Sequence, residues 1–192
     1  MSHKAERFLE YLLQTTGREP DLVVAVESDT AGMGMVYGIT YFDYPEKELT
    51  TGFTYGLSES NHSEWKAAKP ELSITTVSSS TDWTQALAYL VEWNRETHAF
   101  LPGSLFHYGK PVSPDSAMDA FLVFNPAIGN GDEFRSIQLA DDTISILGVH
   151  PLYYGEVAML QKVGIRKFMD LPEYRLFSVT RPDLSKLYKL NQ

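Results

Sequence analysis

The chain has 192 residues, a formal charge of −9, 43% hydrophobic and 21% charged residues, and no cysteine. That length and apolar content support one buried core and exclude global disorder. The missing cysteines exclude disulfides, Cys-bound zinc, iron–sulfur clusters and thiol nucleophiles, while the acidity opposes nucleic acids and anionic membranes and favours encounter with a basic partner.

In chain order, Phe8, Leu9, Leu12 and Leu13 recur at helical spacing between Ser2, a capping residue, and Gly17, a helix stop, and predict an amphipathic helix over 3–15. The segment Met1 to Arg18 has no apolar stretch of the secretory kind, so an intracellular, cytoplasmic location is expected. Three β-rich runs follow, Leu22 to Val26, Gly34 to Phe42 and Leu49 to Leu57, read as antiparallel strands joined by tight turns. Leu72, Ile74 and Thr76 alternate with Ser73, Thr75 and Val77, the period of a half-buried fourth strand over 71–77. The apolar runs Leu22 to Val26 and Ala120 to Phe124 have five residues each, far short of the roughly 18 that suggest a membrane span.

A run of capping residues from Ser78 to Asp82 precedes Trp83, Ala86, Leu87, Leu90 and Val91, which predict a helix over 83–97 with Asp82 and Gln85 as its capping box. From Phe100 to Ser116 the prolines and glycines exclude both a helix and a long strand, leaving an ordered loop that carries Phe106, His107 and Tyr108. Asp119 to Phe124 then reads as a buried strand, Gly129 to Asp132 as a turn, and Ile137/Leu139 with Ile144/Ile146 as a hairpin closed at Asp141-Asp142. Pro151 at a first helical position, with Leu152, Tyr153, Val157 and Leu160, predicts a helix ending at Gly164. A short helix over 166–171, a weak strand over 176–179 and a short terminal helix complete the series, with no repeat or linker to divide the chain.

Motifs that carry chemistry are few. Gly32-Met33-Gly34 begins like a dinucleotide fingerprint but lacks the third glycine and runs into a strand, so it reads as a turn. There is no Walker-type loop and no Gly-x-Ser-x-Gly elbow. The five histidines, His3, His62, His98, His107 and His150, have no metal-ligand spacing; His107 and His150 adjoin turn-like sequence, and structural roles are preferred for both. The acidic pairs Asp132-Glu133 and Asp141-Asp142 fall in predicted turns, where carboxylates remain solvated. Trp83, Tyr89 and Trp93 share a helix and could suggest an aromatic pocket, but Trp83 belongs to the core stripe and packing accounts for it.

Several segments nevertheless occur in a telling order. They are Gly52 to Ser58; Pro70 to Ile74; Trp83 with Ala86 to Leu90; Leu101-Pro102-Gly103 with Gly109-Lys110-Pro111; Phe121 to Phe124; and Ile144 to Gly148 leading into Pro151-Leu152-Tyr153, Glu156 and Gly164 to Leu171. In this order they resemble the suppressor of fused family in its short bacterial, single-domain form, over most of residues 20–180. The resemblance implies one α+β domain spanning 1–192, with helices packed on a central mixed, mostly antiparallel sheet, similar to the N-terminal domain of animal suppressor of fused proteins. It also implies protein binding: animal members bind and regulate zinc-finger transcription factors, and many bacterial members are thought to be immunity proteins that neutralise toxins. The second animal domain has no counterpart here, so no animal partner residue is transferred.

The resulting expectation is a non-enzymatic protein-binding domain without cofactor or metal, an immunity protein that neutralises a cognate toxin. A regulator that sequesters an endogenous protein such as a transcription factor is the alternative, and an enzyme the third and least favoured reading. The candidate contact residues are Phe106, His107 and Tyr108 as loop-borne aromatic anchors, with Asp115, Asp132, Glu133, Asp141 and Asp142 steering a basic partner. An exposed sheet edge also admits an isologous homodimer.

Overall fold

The spacing of Phe8 and Leu12 places both side chains on one face of helix α1 (His3–Thr16), where they are fully buried against the sheet with Ala5. The computed structural model describes residues 3–28, 33–129, 132–134, 137–139 and 142–188. Ser2, Gly32, Asn130, Gly131 and Asp141, for which caps or turns are expected, lie outside these residues.

Strands β1 (Leu22–Val26), β2 (Val36–Phe42), β3 (Thr50–Tyr55) and β4 (Lys69–Thr76) form an antiparallel series. Beyond the loop segment come β5 (Leu105–His107), β6 (Ala120–Phe124), β7 (Ile137–Leu139) and the eleven-residue β8 (Asp142–Leu152). The order across the eight-stranded sheet is β1-β2-β3-β4-β8-β6-β5, with β7 also paired to β8. Among the described residues only β4 and β8 run parallel. One side of β8 pairs with β7 near Ile144 and with β6 from Gly148 onward, while the other side carries β4.

Helix α2 (Asp82–Asn94) covers one face of the sheet, burying Trp83, Leu87, Leu90 and Val91 against Leu72, Ile74, Phe121 and Val123. It can lie close because Gly38 and Gly52 stand beneath Thr84; a Cβ on Gly52 would collide with the Thr84 side chain. The opposite face carries α1 over Ile39, Tyr41 and Phe53. It also carries the group α3 (Tyr154–Val163), α4 (Ile165–Met169) and α5 (Leu184–Leu187) over Ala120, Leu122 and Leu152.

Four expectations need correction. β4 is buried on both faces, not half-buried: α2 covers Leu72 and Ile74 on one side, and Glu71, Ser73 and Thr75 are buried in hydrogen bonds to Ser58, Leu147 and Thr51. The cap of α2 is Thr81, whose hydroxyl accepts from the Gln85 side chain at 3.3 Å; Asp82 instead accepts from the Ser80 hydroxyl at 2.8 Å. Pro151 and Leu152 end β8 and do not open a helix. Pro151 is tolerated there because pairing with β4 stops at Val149, leaving that side of β8 an edge. Residues 176–179 form no strand; they are turns leading to Arg181.

Candidate protein-binding surface

The outer side of α2 carries Tyr89 and Trp93, one turn apart and roughly opposite the stripe of Trp83, Leu87 and Val91. Their rings stack at 5.6 Å, and Tyr108 from the loop after β5 stacks on Trp93 at 5.7 Å. Trp93 is 58% exposed and Tyr89 41% exposed. Tyr108 is anchored from behind by an edge contact to Phe121 at 5.8 Å, and its amide donates to the Asp119 carbonyl at 2.7 Å. The shelf is therefore mounted on a helix and a pinned loop, so little side-chain freedom remains to be lost on binding.

Beside the shelf a groove of about 280 Å³ runs between α2 and the loop, lined by Ala86, Pro111 and Val112 with Asp82, Gln85 and Lys110 as its polar groups. Burial raises the pKa of the Tyr108 hydroxyl, and the nearby Tyr89 and Asp82 push it in the same direction. A neutral phenol at the groove can donate one hydrogen bond while offering its ring face to a partner.

The sequence candidates are distributed around the molecule. Phe106 is buried, stacked on Phe100 at 4.7 Å and touched by His98 at 5.7 Å, so it holds the loop and offers no surface anchor. His107 points to the other face of the sheet, stacking on exposed Tyr154 at 4.0 Å with its Nε2 3.6 Å from Asp119. Asp115 is exposed and accepts from the Ser78 hydroxyl at 2.7 Å. Asp142 lies at the other end of β4, ion-paired with Lys4 at 2.5 Å and Lys69 at 3.5 Å, and the Lys4 hydrogen bond lowers its pKa. Ser78 and Lys69 are separated by ~30 Å of extended chain, so these two acids form no common patch. Asp132 opens a 3₁₀ turn over Asp132–Phe134; Glu133 within it is exposed, and its carbonyl accepts from the Tyr11 hydroxyl. Asp141 lies outside the described residues. Of the candidates among the described residues, Tyr108 alone joins the shelf.

The polar groups that do converge are buried and built into the scaffold. Glu71 is wholly buried and accepts from the Thr54 hydroxyl, the Gly56 amide, and both the amide and hydroxyl of Ser58, at 2.7 to 2.9 Å. Glu156 is equally buried and bound twice by Arg181 at 2.5 and 2.8 Å. Arg95 donates to the Gly34 and Gly56 carbonyls at 2.6 and 3.0 Å. Among the described residues no three His, Cys, Asp or Glu side chains gather as metal ligands. Burial lowers the pKa of His150, whose Nε2 lies 2.9 Å from the Asn125 carbonyl. No helix among the described residues is long and apolar enough to cross a membrane.

A mostly antiparallel sheet with helices on both faces, its one parallel contact between β4 and β8, places the chain in the α+β class of the suppressor of fused fold. A family model for the suppressor of fused protein (SUFU) matches residues 36–183, and the chain belongs to that family. A crystal structure described as a SUFU homologue from Neisseria gonorrhoeae FA 1090 superposes with a TM-score of 0.69 at 13% identity, covering 93% of this chain and 94% of that one. A chain from the Sufu–Fu complex gives a TM-score of 0.68 at 13% identity, with 96% and 93% covered. Drosophila Suppressor of Fused gives 0.68 at 12% identity, with 95% of this chain covering about half, 51%, of that protein. No curated protein sequence matches the chain.

Proposed function

We propose that this chain is a non-enzymatic, cytoplasmic protein-binding domain that neutralises a cognate bacterial toxin as its immunity protein, with the Tyr89–Trp93–Tyr108 shelf at the centre of the contact. The observation that carries the binding reading is the shelf itself: three stacked rings, with Trp93 58% exposed, held on rigid elements beside a groove. Tryptophan and tyrosine in that setting are the residue types that dominate binding energy at protein interfaces. The net charge of −9 supports a basic partner through faster encounter. The toxin part of the proposal draws on the likeness to the short bacterial form of the family.

The test is growth protection. The chain is co-expressed with the toxin encoded beside its gene, alone and as Trp93→Ala. Protection by the native chain and its loss in the variant, at unchanged folded yield, support the proposal. Failure to protect against any adjacent toxin removes the toxin reading.

A second reading, a regulator that sequesters an endogenous protein such as a transcription factor, is favoured by the occurrence of this fold in a Sufu–Fu complex. It would use the same shelf. Affinity capture from unstressed cells separates the two, since a housekeeping partner lost with Trp93→Ala belongs to the regulator reading alone.

A further inference from the structure

Strand β1 is an end strand of the sheet: it pairs with β2 on one side, and among the described residues no strand pairs with the other. Exposed edges are usually guarded by a charged side chain, a proline or a bulge. β1 reads Leu-Val-Val-Ala-Val, five apolar residues in regular register with β2, and has none of these guards. Val23 and Ala25 face the α1 side and are exposed, with Val23 at the margin of the apolar packing of Ala5, Leu9, Tyr37, Ile39 and Tyr55. An extended chain added to this edge would gain main-chain hydrogen bonds along β1 and set alternate side chains beside Val23 and Ala25.

The charges at the two ends of the strand decide what can be added. Glu19 and Asp21 stand before β1 and Glu27 after it, all exposed. Among the described residues flanking the strand in sequence, Arg18 is the one cation, and it is paired with Asp21 at 2.5 Å. In a two-fold antiparallel pair centred on Val24, Leu22 would face Val26 of the second copy and Asp21 would face its Glu27. Acid would meet acid at both ends, and like charges directly opposite destabilise strand pairing.

We infer that the β1 edge is a docking site for an extended segment of another protein, apolar in its middle and basic at both ends, and that its terminal acids prevent self-pairing. This site is separate from the α2 shelf and does not depend on the toxin reading; growth protection can fail while the edge still binds.

Two measurements on the full chain test the inference. In sedimentation equilibrium the native chain is expected to be monomeric, and Glu27→Lys, which places a cation opposite Asp21, is expected to shift it toward a dimer at tens of micromolar. The second is a titration followed by amide NMR shifts, using two synthetic peptides with the same alternating Val-Thr centre, one flanked by lysines and the other by glutamates. The lysine-flanked peptide is expected to shift β1 amides and to bind at least tenfold more tightly than the glutamate-flanked one. The double variant Val23→Lys, Ala25→Lys, altered only at exposed positions, should retain its melting temperature and lose the peptide. A native dimer, equal affinity for the two peptides, absence of binding, or shifts confined to the α2 shelf would each overturn the inference.

Discussion

Glu71 and Glu156 are both wholly buried carboxylates, yet the fold stabilises them by different means. Glu156 has a full counter-charge: Arg181 binds it through two nitrogens, the Tyr153 and Leu184 amides donate to it, and the Tyr153 and Tyr174 rings flank the guanidinium at 5.7 and 5.2 Å. Among the described residues Glu71 is held by no cation but by four neutral donors from β3 and the turn after it. Burial pushes its pKa above the usual carboxylate range, against those donors, which pull it down. The contrast shows that one buried acid works as half of an ion pair tying the C-terminal segment to α3, whereas the other organises a turn by accepting hydrogen bonds. Neither opens onto the aromatic shelf, so both are features of the scaffold.

The ion pair should be the more fragile of the two, because removing one member leaves a buried charge without compensation. Arg181→Ala is expected to cost about 4 kcal/mol in chemical denaturation. The double variant Glu156→Leu, Arg181→Met should recover only part of that loss, since removing Glu156 takes the acceptor away from the Tyr153 and Leu184 amides. A cost below about 1 kcal/mol for Arg181→Ala would mean the pair contributes little to stability. Burial also raises the Tyr174 hydroxyl to about 12, so that ring stays neutral beside Arg181 throughout the ordinary pH range.

Glu71→Ala is expected to cost about 3 kcal/mol, because it strands the Gly56 and Ser58 amides in the interior. Glu71→Gln keeps an oxygen for those amides, and Thr54 already accepts from the Leu72 amide and can turn its hydroxyl, so about 1 kcal/mol is expected. The two variants also differ from the native chain in pH dependence. With its folded pKa raised, Glu71 binds a proton in the folded state over a range where the unfolded chain has released it. Its contribution is therefore complete below the unfolded value and is lost as pH rises through the folded one. Native stability should fall with increasing pH across that window, and Glu71→Gln should remove this component. A melting temperature whose pH profile is the same in both proteins would show that burial leaves the carboxyl titrating in the folded chain as it does in the unfolded one.

The scaffold was largely legible from local pattern, and the shelf was not. Phe8 and Leu12 in α1 and the Trp83 to Val91 stripe in α2 each have a period that states which face is buried, and the β-rich runs of β1 to β3 read as antiparallel strands; the structure follows both. Pro151 misled because its preference for a helix start was outweighed by the pairing of β8 with β6, a contact between residues about thirty positions apart in sequence. Tyr89 and Trp93 carried a readable signal, since their spacing places them off the core stripe, but nothing local indicates that Tyr108 would complete the stack. Phe106 was overestimated for the same reason: in sequence it looks like Tyr108, and only Phe100 folding back onto it decides that it is buried. Glu71 and Glu156 were invisible as buried acids, because their burial depends on donors brought from distant segments.

The smallest expected effect on stability belongs to the shelf, and it sharpens the contrast between scaffold and surface. Trp93 contributes its area to solvent and to two rings that are exposed or half-buried, so Trp93→Ala should change the unfolding free energy by no more than about 1 kcal/mol. If the shelf is the contact centre, the same change should weaken partner binding by about 2 kcal/mol or more, roughly thirtyfold, in titration calorimetry. Tyr108→Phe keeps the stack and removes only the hydroxyl, so it should lose far less affinity. The opposite pattern, in which Trp93→Ala unfolds the chain as Arg181→Ala does, would make the stack a part of the core that happens to reach solvent. Variants of Glu71 that bind the partner normally when folded would confirm the other half of the division, because a turn-organising acid has no direct part in the interface.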